Sequence, residues 1–331
     1  MAKRRKPGIS VLVATQNEEA TVSACIRSFL DFADELIVVD NGSTDRTKEI
    51  VLDLVARSPR KIQFHDAPDL PDLHHNRQYA FERSSHEWIL RADSDYIAYT
   101  SGKRDIMRFR DWLLKRRRTL RPEGIYVPQV NVSCDYWHTG APLKPGGMQG
   151  NLDRWYLSPP WSKPMLRFFR HFPGFRFQRR GRWEGVRFQP LIRRVVWPEP
   201  IWMHCTIKPD LHHFFRSERT NWREKGDFER YPTLQRYIEE VAMEKYGVDD
   251  LDTAASMYMS RHVLPYLIPY DEAEFGPYPD LVRDLMAREP HYRVESQNGT
   301  VTRRRVAAAC GPSHGAEIIE PRPTNASGSA I

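Results

Sequence analysis

Three polar clusters have the residue types for chemistry: Thr15-Gln16-Asn17-Glu18, Asp40-Asn41-Gly42-Ser43 and Asp93-Ser94-Asp95. Each follows a short apolar run. Two carboxylates spaced as in Asp93-Ser94-Asp95 can share a hard divalent cation, which in turn clamps phosphate oxygens. Alone, Asp-Ser-Asp is more often a solvated acidic turn. Its place after an apolar run, with two further polar clusters in the chain, favours a ligand site. A dinucleotide-binding turn would carry G-x-G-x-x-G, so that backbone amides approach the pyrophosphate. The first cluster sits in ATQNEEA, without glycine. The charge of a bound diphosphate must then be met by other means, and the paired carboxylates with their cation are the candidate.

The elements that position these clusters follow from apolar spacing. Ile9 to Ala14 is a β-branched run too short for a helix and predicts a buried strand. Val22, Cys25, Ile26, Phe29 and Leu30 then recur at helical spacing, with Glu18 and Glu19 where a helix start favours acidic residues. The unit repeats: a strand at Leu36 to Val39, a turn in which Thr44 or Asp45 caps, and a helix through Ile50, Val51 and Leu54. A third cycle runs from Ile62 to Phe64, through a helix in HHNRQYAFERSS, to the strand EWILRA ending at Asp93. Alternating strands and helices predict an α/β fold with a mostly parallel sheet. Ligands bind such sheets beyond the carboxyl ends of the strands, where all three clusters fall.

Beyond Asp95 the pattern predicts a basic helix near Ile106 to Arg118, a strand at Ile125 to Val132 and a Gly/Pro-rich binding loop from Gly140 to Pro164. Short β-like pieces follow in LRFFRH, FRF, VRF and LIRRVVW, and helical periodicity returns from Pro209 to about Arg288. The division expected is residues 1–100 as a nucleotide-binding α/β half, 101–208 as a second half of the same domain with mixed β pieces, 209–295 as a helical extension and 296–331 as a mobile tail. No run is long enough for a transmembrane helix, and the basic start has too short an apolar stretch for a signal peptide, so a cytoplasmic location is expected. Contact with the inner face of a membrane stays open. Four cysteines without C-x-x-C pairing read as reduced thiols. A formal charge of +7 fits an anionic partner.

The strand ISVLVAT with Asn17-Glu18-Glu19, the block ELIVVDNGSTDRTKEIV, and the stretch from Arg77 through EWILRADSD resemble glycosyltransferase family 2, inverting enzymes of the GT-A fold. The resemblance covers about the first hundred residues and implies a nucleotide-sugar donor, UDP-linked. It puts Thr15, Asn17 and Glu18 around the nucleotide, Asp40 on the base, Arg77 at the donor phosphates, Asp93 and Ser94 at the ribose or sugar, and Asp95 on Mn²⁺ or Mg²⁺. Farther on, LRFFRHF, Trp183-Glu184 and IWMHCTIKPDLHHFFRSERTNW are similar to the branch with lipopolysaccharide-core transferases. By that similarity His204 completes the metal site, and Glu184 is the candidate general base, since inversion needs one carboxylate near the acceptor hydroxyl. Tyr96 and Gln78 depart from the family pattern, which bears on donor choice.

Arginines and phenylalanines crowd the segment from Lys163 to Arg182, which suits an anionic acceptor. Two acceptor classes fit: a lipid-linked or polysaccharide glycan, and a hydroxymethylated base in DNA, with KRRK, Lys115 to Arg118 and Arg303 to Arg305 as phosphate contacts. A non-catalytic nucleic-acid-binding protein would also explain the charge. It leaves Asp-Ser-Asp without purpose.

Overall fold

The computed structural model describes residues 5–141, 165–180, 183–187, 191–298 and 300–306. Strands and helices alternate over the first hundred residues: β1 (Lys6–Thr15), α1 (Val22–Phe29), β2 (Glu35–Asp40), α2 (Thr47–Arg57), β3 (Ile62–Asp66), α3 (Leu73–Arg83) and β4 (His86–Asp93). Val11 and Val13 of β1 pack with Val22, Cys25, Ile26 and Phe29 of α1, whereas Leu12 packs with Ala80 and Phe81 of α3. Burial on both faces is why this strand is continuously apolar instead of alternating.

The chain continues through β5 (Tyr96–Ala98), α4 (Ile106–Leu114), β6 (Glu123–Val127), β7 (Val130–Ser133), β8 (His138–Gly140), β9 (Met165–Arg170), β10 (Phe177–Arg180), β11 (Trp183–Val186), β12 (Arg193–Val196) and β13 (Trp202–Thr206). Among the described residues the central sheet has seven strands in the order β12-β6-β9-β4-β1-β2-β3. Only β9 runs antiparallel to its neighbours, so the sheet is mostly parallel and flanked by helices, as expected. A smaller sheet, β5-β13-β7, stands beside it, and β10 and β11 form a hairpin against α3.

The helical part follows as α5 (Asp210–Lys225), α6 (Leu234–Val241) and α7 (Leu251–Tyr258), then β14 (Leu267–Pro269), α8 (Glu272–Phe275), α9 (Asp280–Met286) and a hairpin of β15 (Tyr292–Gln297) and β16 (Thr300–Arg305). Phe214, Tyr237, Ile238, Tyr258 and Met259 form its core.

Four local expectations change. The strand foreseen over Ile125 to Val132 is two strands in different sheets, because Pro128 has no N–H to continue a ladder. The helix after β1 starts only at Val22, since Glu18 to Thr21 form a turn in which Thr21 N and Val22 N donate to Glu18 O at 3.0 and 2.9 Å. Arg46, not Thr44 or Asp45, is the N-cap of α2, although Asp45 Oδ1 accepts from Thr47 N at 3.0 Å. Residues 296–298 and 300–305, foreseen as the start of a tail, belong to the β15–β16 hairpin, held by Val294 and Val301 against the helical core and by Arg303 on Cys134 O at 2.9 Å. The loop expected from Gly140 to Pro164 lies outside the described residues beyond Ala141.

Candidate functional site

The first two polar clusters are one structure. Asp40 at the end of β2 is buried, and its Oδ1 and Oδ2 accept from Ser43 N at 2.7 Å and Ser43 Oγ at 2.6 Å. Ser43 Oγ accepts in turn from Asn17 N at 2.9 Å, Asn17 Oδ1 from Thr44 N at 2.7 Å, and Thr47 Oγ1 from Glu18 N at 2.7 Å. The ends of β1 and β2 are thereby laced together. Asn17 sits in the left-handed region at φ 55° and Gly42 at φ 79°, so the lacing needs two unusual backbone turns.

The third cluster is the step from the large sheet to the small one. The chain leaves β4 at Asp93 and enters β5 at Tyr96, whose register partner on β13 is His204. Cys205 N donates to Asp95 O at 2.8 Å, which fixes the turn beside β13. His204 Nε2 lies 3.2 Å from Asp95 Oδ2. On its other side, His204 Nδ1 lies 3.2 Å from Asn131 Oδ1 and 3.1 Å from Gln129 Nε2. With Nδ1 accepting from Gln129 Nε2, which also donates to Asn131 Oδ1 at 2.8 Å, Nε2–H donates to Asp95 Oδ2. With Nδ1–H donating to Asn131 Oδ1 instead, the Nε2 lone pair faces Asp95, and a divalent cation between the two would take the place of the proton. Asp95 Oδ1 is buried without a hydrogen-bond partner among the described residues. An imidazole, a carboxylate and a spare carboxylate oxygen at about this spacing suit a shared divalent ion with bonds of about 2.1 Å.

Charged side chains bracket the pair. Arg77, buried on α3, donates to Ala92 O at 2.8 Å and pairs with Asp93. Arg167 NH1 of β9 lies 3.7 Å from Asp93 Oδ2, and its guanidinium sits 5.1 Å above the Tyr96 ring. Burial favours the neutral form of Asp93, but Arg77 and Arg167 outweigh it and hold this carboxyl well below the usual range. Asp95 is likewise lowered against its burial, chiefly by His204. Glu18 differs: burial and the neighbouring Asp95 push it up to about 7, with Lys208 pulling it down. Lys208, buried two residues past β13, pairs with Glu18. Glu18 thus turns toward Asp95 and Lys208, while Thr15 lies buried at the end of β1 and Ser94 between the two aspartates.

The structure therefore brings together Glu18, Arg77, Asp93, Ser94, Asp95 and His204, with Thr15, Asn17 and Asp40 at the adjoining strand ends. Sequence reasoning did not single out Lys208, Gln129 or Asn131. Their only signal is local: a lysine within IWMHCTIKPD, and an amide pair at the start of a strand. Arg167, read as part of a basic surface, is buried and faces Asp93. Tyr96 lies flat against Trp202, centroids 5.4 Å apart, and Gln78 Oε1 accepts from Phe177 N at 2.9 Å, fastening the β10–β11 hairpin to α3. Glu184 pairs in register with Arg179 on that hairpin; its side chain lies outside what the structure describes.

Residues 10–107 match the family model of Glycosyl transferase family 2. A curated glycosyltransferase of Rickettsia typhi is 37% identical over 89 residues, 26% of this chain and 27% of that relative. One from Rickettsia prowazekii is 36% identical over the same shares. The match spans about a quarter of the length of these relatives. Among solved structures, S. aureus TarS 1-349 has 15% identity over 77% of this chain and 71% of that chain, at a TM-score of 0.36. Glucosyl-3-phosphoglycerate synthase from Mycobacterium tuberculosis, solved with Mn²⁺, UDP and glucosyl-3-phosphoglycerate, has 25% identity over 37% of this chain and 44% of that chain, at 0.28. Among the described residues no helix is long and apolar enough to cross a membrane. From Ser10 to Met107, through the turn that carries Asp93 and Asp95, this chain is similar to the Glycosyl transferase family 2 model.

Proposed function

We propose that the chain is an inverting glycosyltransferase that moves a sugar from a nucleotide-sugar donor, UDP-linked, to a hydroxyl of a lipid-linked or polysaccharide glycan. The observation that carries this reading is the pairing of Asp95 Oδ2 with His204 Nε2 at 3.2 Å beside an Asp95 Oδ1 without a partner among the described residues, at the strand ends where an α/β sheet binds ligands. A divalent cation, Mn²⁺ or Mg²⁺, held by Asp95 and His204 would supply positive charge toward a departing diphosphate. Asn131 and Gln129 orient the imidazole. Arg77 and Arg167 keep Asp93 ionised as an acceptor for sugar or ribose hydroxyls, and Asp40 with Ser43 fixes the loop on which the base would rest. Lys208 offsets part of the negative charge of Glu18 and Asp95. Glu184 is the proposed base that takes the acceptor proton as the anomeric bond inverts.

Part of each basic piece is paired internally, which takes those side chains from a nucleic-acid partner. Arg5 donates to Ser84 O at 2.8 Å, Arg116 pairs with Glu123 at 2.5 Å, Arg118 pairs with Glu87, and Arg303 lies 3.1 Å from Asp210.

Two experiments test the reading. Thermal denaturation with nucleoside diphosphates is expected to give a clear rise in Tm with UDP and Mn²⁺ together, because a ligand that binds only the folded state stabilises it; no rise with any nucleoside diphosphate would refute a donor site. Glu184→Gln is expected to keep donor affinity by calorimetry while transfer to acceptor falls by about two to four orders of magnitude. Transfer at the wild-type rate would move the base elsewhere.

A further inference from the structure

A second cluster of metal-ligating groups stands at the start of α3, outside the proposed reaction. Asp72 caps this helix, its Oδ1 accepting from His75 N at 3.2 Å. The same oxygen lies 2.7 Å from His74 Nδ1 and 2.9 Å from His75 Nδ1. The two imidazole centroids are 4.1 Å apart with the rings 35° from parallel, and the three ligand atoms all fall within 4.8 Å of one another. Asp72 and His74 are mostly covered, with side chains 25% and 18% exposed.

At 2.7 and 2.9 Å the contacts have hydrogen-bond lengths, each Nδ1–H donating to Asp72 Oδ1. A cation would take the place of both protons and use the two imidazole lone pairs and the carboxylate charge, the ligand atoms moving slightly apart to bonds of about 2.0 to 2.1 Å. Two imidazoles and one carboxylate are a donor set for a borderline ion such as zinc, in contrast to the all-oxygen surroundings that magnesium takes. His74 and His75 also line one side of a cleft of about 630 Å³, together with Gln78 and Glu82 of α3 and residues 174–178 before and within β10.

We propose that Asp72, His74 and His75 form a site for a divalent zinc-class cation, with its remaining coordination position open to this cleft for an oxygen or nitrogen donor of a molecule lodged there. The site shares no ligand with the Asp95 and His204 pair and does not depend on the function proposed above. It shares α3 with Arg77, three residues beyond His74. A cation there would hold the first turn of the helix that carries the Asp93 partner.

The test uses the full chain stripped of metal and titrated with ZnCl₂ by calorimetry, with CoCl₂ absorption reporting coordination geometry. His74→Ala and His75→Ala are each expected to weaken one zinc-binding event by more than about 100-fold, beyond the effect of outer-sphere partners. Asp72→Ser keeps an oxygen to cap His75 N, so it should retain the metal-free Tm and still lose the event. Asp95→Ala should leave it unchanged. Absence of zinc binding by the wild-type chain, undiminished binding in the three α3 variants, or loss of this event in Asp95→Ala would each overturn the proposal.

Discussion

Lys208 and Glu18 carry much of the electrostatic logic of the site, because three carboxylates converge there and none of them is freely hydrated. Asp93 has its arginines and Asp95 has His204, whereas Glu18 relies on Lys208, Thr21 Oγ1 at 3.0 Å and its own protonation. The folded pKa of Glu18 is raised from 4.5 to about 7, so its contribution to stability is full below pH 4.5 and declines as pH rises through about 7. Lys208→Met removes the opposing charge and pushes this carboxyl higher still. At pH near 8 the variant should lose about 3 to 5 kcal/mol, the usual cost of stranding one member of a buried pair. At pH near 5, where Glu18 takes up a proton, the loss should fall to the part that Lys208 contributes to Asp95, well below the loss at pH 8. Urea denaturation at both pH values measures it, and a loss independent of pH would break the assignment of Glu18 as the raised group.

The elements succeed or fail as platforms for these residues according to local backbone chemistry, and the β1–β2 lacing is the sharpest case. Gly42 holds φ 79°, and a Cβ there would come within 3.2 Å of Pro68 Cβ. Gly42→Ala should therefore cost about 1 to 2 kcal/mol from the left-handed backbone alone. It should also weaken nucleotide affinity, since the turn that holds Asp40 would shift; a variant with unchanged Tm and unchanged affinity would show that the lacing is dispensable. The same elements show what the sequence discloses. β1, β2 and β4 were legible because their apolar runs are uninterrupted, and Asp40, Asp93 and Asp95 stood out as candidates because strand ends are where open sheets bind. The split of β6 from β7 was written in Pro128, which a purely apolar reading of Ile125 to Val132 passes over. Asn298-Gly299, a hairpin signal between alternating residues, likewise marked β15 and β16 inside what composition alone presents as a tail. Lys208, Asn131 and Arg167 were illegible as site residues for a different reason: only the pairing of β13 with β5 and β7, and of β9 with β4, brings them to Asp93 and Asp95, and register between distant strands leaves no local pattern.

At the scale of the whole molecule, a large sheet supplies the strand ends, a small sheet supplies His204, and the helical part beyond α5 closes around Cys134 and the final hairpin through Arg303. Asp95 is the residue at which the two sheets meet, so the central claim can be tested there with little disturbance of the fold. The Asp95 carboxylate is buried, repels Glu18 and Asp93, and has one oxygen without a partner among the described residues. Its removal relieves the repulsion of Glu18 and Asp93 but loses the His204 and Lys208 attraction that holds its carboxyl low, so a modest fall in Tm is expected while the chain stays folded. The decisive measurement is hydrolysis or transfer of a UDP-sugar by the wild-type chain and by Asp95→Ala across a Mn²⁺ titration, with Tm recorded on the same samples. The account predicts Mn²⁺-stimulated turnover in the wild type and none above the metal-free rate in a folded Asp95→Ala. Equal Mn²⁺-stimulated turnover by the two proteins would contradict it.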